Sequence, residues 1–183
     1  MGNLLLDRRT PSELAARAQV IEFKDVLALF PRLTEIVRTD LDGLAAGNRP
    51  VDWRAAEVTG RLEFGFADAQ RALPALTGTV RTTLDAVCQR CLAPMRLPVA
   101  VELGLLFADG ETTAAEPGEF EVWELDEPLF RPVDLVEECL IMALPFAAVH
   151  EERAGCREPR PAGADPLTVR PFADLRSQME EKN

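Results

Sequence analysis

Apolar positions in the first 45 residues follow two spacings. Val20-Ile21-Glu22-Phe23 reads as a short strand. From Asp25, the set Val26, Leu27, Leu29, Phe30, Leu33, Ile36 and Val37 has helical spacing, with a break predicted at the internal Pro31. Pro11-Ser12-Glu13-Leu14 has the form of a helix start, with Ser12 as its cap. Gly43 to Pro50 reads as a loop. From Val51 the period changes to two. Val58, Gly60, Leu62, Phe64 and Phe66 fall on one face, and Leu76 to Val87 is rich in Thr and Val. Between Met95 and Phe107, the residues Leu97, Val99, Val101, Leu103 and Leu105 stay in phase. Short breaks separate these strands, which predicts an antiparallel meander or a partly open barrel. Phe120 to Leu125 is a further strand candidate. Val133 to Leu144 is the best helix, with Leu135, Val136, Cys139, Leu140, Met142 and Ala143 on its apolar face, Glu137 and Glu138 away from it, and Pro145 ending it.

These elements define an α+β protein with an antiparallel strand-rich core and a few helices. One domain is expected over residues 1–156, with an N-terminal helical portion of about 1–45. Beyond Cys156 the composition turns to Pro, Arg, Gly and Ala, which predicts a largely disordered tail over 157–183 with one apolar island, Pro171 to Leu175. The 183 residues are 47% hydrophobic and 28% charged, ordinary values for a globular chain. No apolar run approaches the roughly 18 residues of a membrane span, and Met1 to Arg9 lacks a secretory apolar region. A soluble cytoplasmic protein with no membrane partner is expected.

Charge is unevenly distributed. Residues 101–150 carry 12 acidic and 1 basic side chains, so this stretch has a net charge of −11, equal to that of the whole chain. The first hundred residues are near neutral and hold almost all their positive charge as arginine, which leaves an RNA-facing surface open there.

Four cysteines and one histidine carry the candidate chemistry. Cys88-Gln89-Arg90-Cys91 is a CxxC at a strand end, and two thiolates at that spacing on a turn can hold one side of a tetrahedral metal. His150, the only histidine, and Cys156 lie beyond the Pro145 helix stop and complete a three-cysteine, one-histidine zinc proposal. The alternative is that Cys88 and Cys91 pack as small apolar residues while His150 lies on the surface. A thioredoxin-like role would require a βαβ setting, which the pattern lacks. Cys139, on the apolar helix face, reads as a buried free thiol. With one histidine, no tyrosine and no P-loop, GxSxG or GxGxxG, an enzyme with a small-molecule substrate is not indicated. Phe64, Phe66, Trp53 and Trp123 could stack bases, but Phe64 and Phe66 share a face with Leu62 and fit a core better.

Taken together, Cys88-Gln89-Arg90-Cys91-Leu92, the acidic loop, the helix closing on Ala143-Leu144-Pro145, His150, Cys156 and the tail segment Arg170-Pro171-Phe172-Ala173-Asp174-Leu175 resemble the large ribosomal RNA subunit accumulation protein family, YceD. The resemblance spans roughly residues 20–176, loosely in the amino-terminal third, and departs from the family pattern at Ala148, where a proline is usual. It implies a non-enzymatic factor for 23S rRNA accumulation in large-subunit assembly or rRNA processing. It also implies metal ligation by Cys88, Cys91, His150 and Cys156, with Arg90 and Arg96 placed to contact phosphate. The partners implied are 23S rRNA or its precursor and large-subunit ribosomal proteins. The competing expectation is an acidic protein-binding module or assembly chaperone for a basic ribosomal protein, without RNA contact. A weaker rival is a small metal-dependent enzyme, which would need an open coordination position.

Overall fold

The computed structural model describes residues 4–108, 120–125, 127–151 and 156. Among them the chain forms helix α1 (Pro11–Ala16), strand β1 (Val20–Val26), helix α2 (Pro31–Leu41), strands β2 (Glu57–Phe66), β3 (Pro74–Val87), β4 (Pro94–Ala108) and β5 (Glu121–Glu124), and helix α3 (Pro132–Met142). The strands lie in the order β1-β2-β3-β4-β5, antiparallel from β1 to β4 and parallel between β4 and β5. The α+β class and the meander are as the pattern predicts, and the sheet is open. The expected tail over 157–183 lies outside the described residues.

Register explains why one sheet face is dry. Ile21 sits opposite Leu62, Leu76 opposite both Phe64 and Leu105, and Val80 opposite Val101. All three helices pack on this face: α1 on β2 and β3, α2 on β3, and α3 on β4 and α2. Leu62, Leu76 and Val80 are fully buried there, each worth about 1.5–3 kcal/mol relative to exposure. The other face carries Lys24, Thr59 and Arg81 in one row and Glu22, Arg61, Thr79 and Glu102 in the next. Period-two alternation thus sorts each strand into a core face and a polar face. Residues preceding α1 are stitched to the start of α3, since Arg9 and Phe130 exchange backbone hydrogen bonds and the Val133 N–H donates to the Leu5 carbonyl.

Three details differ from the expectation. The helix drawn from Asp25 begins only at Pro31: β1 runs to Val26 and a short 3-10 turn, Leu27–Leu29, precedes α2. Proline has no N–H to lose and a fixed φ, so Pro31 starts the helix rather than interrupting one. The cap of α1 is Thr10, not Ser12; its hydroxyl accepts the Glu13 N–H while the Glu13 carboxylate accepts the Thr10 N–H. Glu137, expected on a solvated helix face, is 4% exposed. Its carboxylate accepts the N–H groups of Arg32 at 2.7 Å and Leu33 at 3.1 Å.

Two glycines permit the close packing of β1, β2 and β3. A Cβ at Gly60 would meet the Phe23 ring at 2.6 Å, and one at Gly78 would meet the Arg61 carbonyl oxygen at 2.3 Å. The second obstacle is backbone, and β2 and β3 are each held on their far side by another strand. Gly78→Ala is therefore expected to cost about 2–3 kcal/mol by overpacking, read as a lower urea midpoint. An unchanged midpoint would mean that β2 and β3 part freely there.

Candidate metal centre

The site begins where β3 ends. The Val87 N–H donates to the Asp40 carboxylate on α2 at 2.7 Å, anchoring the strand end. The chain then turns: the Cys88 N–H donates to the Ala93 carbonyl at 2.9 Å and the Leu92 N–H to the Cys88 carbonyl at 2.8 Å. Leu92 has φ 57°, in the left-handed region that closes such turns. The segment after α3 comes back alongside, held by a 2.7 Å bond from the Gln89 N–H to the Ala148 carbonyl. His150, two residues on, and Cys156 thereby reach the turn.

The four predicted ligand atoms converge. All lie within 4.8 Å of one another, with Cys88 Sγ 3.6 Å from Cys156 Sγ and Cys91 Sγ 3.6 Å from His150 Nδ1. A tetrahedral zinc with Zn–S of about 2.3 Å and Zn–N of about 2.0–2.1 Å places sulfurs about 3.8 Å apart and a nitrogen about 3.6 Å from a sulfur. The donor set and its spacing are compatible with zinc.

Electrostatics favour a thiolate in the turn. Burial pushes the Cys88 thiol up, but backbone N–H groups of Cys91, His150 and Arg90, together with the Cys91 side chain, bring it down from 9.0 to about 5. Burial raises Cys156 to about 11, helped by hydrogen bonding to Cys91 and Cys88 and by their charge. Three sulfurs this close cannot all ionise without a cation between them. Cys139 lies apart, buried on α3, where burial and the nearby Glu138 and Glu121 carboxylates raise its thiol to about 11.

The other predicted residues are placed as follows. Arg90 is exposed on the turn between the two cysteines and has no ion-pair partner among the described residues. Arg96 lies on β4, paired with Asp85 at 3.0 Å and donating to the Thr83 carbonyl. Phe64 and Trp53 are buried and Trp123 is half-buried in the core, so these rings form no open base platform. Asp40, Gln89 and Ala148 hold the ligands in place; no sequence signal assigned them this role, and Ala148 stood out only as the departure from the family pattern. Asp40 and Gln89 are single polar residues in a helix and a turn, and Ala148 acts through its carbonyl, which no side-chain pattern reports.

Among the described residues, a five-stranded α+β fold with a Cys/His cluster at one end of its β3–β4 hairpin is thus the class of protein in hand. A family model described as large ribosomal RNA subunit accumulation protein YceD matches residues 76–182, and the chain belongs to this family. Membership connects it with accumulation of large-subunit ribosomal RNA. Neither curated proteins nor solved structures give a match.

Proposed function

We propose that this chain is a non-enzymatic cytoplasmic factor for 23S rRNA accumulation, acting in large-subunit biogenesis or rRNA processing. In this reading a structural zinc is held by Cys88, Cys91, His150 and Cys156. The observation that carries it is the coincidence of the cluster with the family match: all four ligands fall within residues 76–182. Zinc would fasten the segment after α3 to the β3–β4 turn and give the end of the domain a fixed shape. The partners are 23S rRNA or its precursor, reached through Arg90 and Arg96, and large-subunit ribosomal proteins.

Pairing of the arginines favours a second reading, contact through protein alone. Among the described residues, Arg8, Arg9, Arg32, Arg38, Arg49, Arg61, Arg96 and Arg131 each face a carboxylate, which leaves Arg17, Arg54, Arg71, Arg81 and Arg90 as the arginines there outside any ion pair. Depleting the protein from cells is expected to lower the 23S to 16S ratio at least twofold. An unchanged ratio would overturn the functional reading. Crosslinking from position 90 then separates the two: RNA adducts support phosphate contact, and protein adducts alone support the second reading.

A further inference from the structure

Beside the Cys/His cluster, a groove runs between α2 and the segment following α3. Ile36 and Asp40 of α2, the cross-strand pair Leu84 and Leu97, and Leu144 to Phe146 line about 170 Å³ of space. It continues past Ile36, Asp40 and Gln89 to Leu92 on the cysteine turn. Its rim is unusually apolar for a surface: Phe146 is fully exposed, Leu92 is 70% exposed and Ile36 is 40% exposed. Adjacent exposed apolar side chains of this size mark a binding surface more often than a bare exterior.

Charge selects the occupant. The groove is lined by two carboxylates, Asp40 and Asp85, and by no lysine or arginine. Asp85 is neutralised by Arg96. Asp40 accepts from the Val87 N–H and, at 3.4 Å, from the Gln89 amide, but has no cationic partner among the described residues. An uncompensated carboxylate between apolar walls disfavours phosphate and favours a cation carried on an apolar segment. We propose that this groove is the docking site for a short peptide segment of a partner protein, one that places Leu, Ile or Phe side chains against Ile36 and Phe146 and a Lys or Arg on Asp40. The metal centre would set the groove's shape through the Gln89–Ala148 link. The inference rests on the second reading above for its biological setting. Its test is made in vitro, so its failure is distinct from a failure of the rRNA measurement.

The test selects a randomised twelve-residue peptide library on the immobilised, zinc-loaded full chain. Expected is at least tenfold enrichment of sequences combining large apolar residues with Lys or Arg and depleted in Asp and Glu. Ile36→Ser with Phe146→Ser is expected to abolish that enrichment while lowering Tm by only about 2–4 °C, since Phe146 is fully exposed and Ile36 is 40% exposed. Asp40→Asn keeps an oxygen for the Val87 N–H and is expected to lose the preference for basic over neutral peptides. No enrichment, or enrichment indifferent to Ile36 and Phe146, overturns the proposal. So does displacement of selected peptides by a twenty-nucleotide oligouridine, which would make this an RNA site. A dimer dissolved by the Ile36 and Phe146 changes would assign the groove to a second copy. Binding seen only after Phe172→Ser and Leu175→Ser would assign it to the chain's own C-terminal segment.

Discussion

Removing zinc from the purified protein, or replacing Cys88 with serine, is expected to lower Tm by roughly 8–16 °C. A ligand present at about a thousand times its Kd stabilises the folded state by about 4 kcal/mol, and a chain of about 150–250 residues shifts by roughly 2–4 °C per kcal/mol. The loss falls short of complete unfolding because the sheet and helices have their own core, whereas a small zinc finger has none. Atomic absorption should find one zinc per chain, and none in Cys88→Ser. Cys139→Ala is the control: it removes a buried thiol outside the cluster and should cost about 1 kcal/mol with zinc content unchanged. A Cys88→Ser protein that melts with the parent would remove the structural role of the metal.

The metal-free chain should also show a characteristic pH response. Cys88 is depressed from 9.0 to about 5, so the folded state favours its thiolate. That contribution is complete above pH 9 and is lost as pH falls through about 5. Cys156 is raised from 9.0 to about 11, so its contribution is complete below pH 9 and is lost as pH rises through about 11. The stability gap between the metal-free chain and its Cys88→Ala variant should therefore widen from pH 5 to pH 9. A gap independent of pH would mean that the N–H groups of Arg90, Cys91 and His150 do not favour the thiolate. A zinc bound there would displace the remaining thiol protons, so its affinity should fall in acid.

The sheet was legible in the sequence because a half-buried strand writes its own geometry. Alternation along Val58 to Phe66 and Leu97 to Leu105 fixes both period and face, and the register follows that alternation. The four cluster residues were legible by type, since cysteine and histidine at a turn and past a helix stop have few other uses. Their grouping as one ligand set was expected, but the link that joins its two halves was not legible, because it is a bond between the Gln89 N–H and the Ala148 carbonyl, 59 positions along the chain. The α1 cap was misplaced because Thr10-Pro11-Ser12-Glu13 offers two hydroxyls, and only the one three residues before Glu13 completes a capping box. Asp40 was invisible for a related reason: on α2 alone it is one more polar helix residue, and its role exists only where β3 ends against it.

Glu137 shows most clearly how far a long-range contact can overturn a local pattern, and it carries the second large prediction. Helix α2 begins after Phe30, which has no side-chain acceptor to offer as a cap. The orphan N–H groups of Arg32 and Leu33 are met instead by one Glu137 oxygen from α3, more than a hundred residues away. A carboxylate there also opposes the positive end of the helix dipole. Hydrogen bonds to a charged group contribute about 1.5–3 kcal/mol, and leaving the buried Leu33 N–H unpaired adds to the loss. Glu137→Ala should therefore destabilise by about 2–4 kcal/mol, and Glu137→Gln, which keeps an acceptor oxygen, by about 1 kcal/mol. The adjacent Glu138 makes the more obvious ion pair, with Arg32 at 2.5 Å, but that guanidinium is 57% exposed. Glu138→Ala should cost less than about 1 kcal/mol. Because α2 also delivers Asp40 to the strand end before Cys88, Glu137→Ala should weaken zinc binding in a chelator competition while Glu138→Ala leaves it unchanged. Equal effects from the two substitutions would place the α2–α3 contact in the exposed ion pair and not in the buried cap.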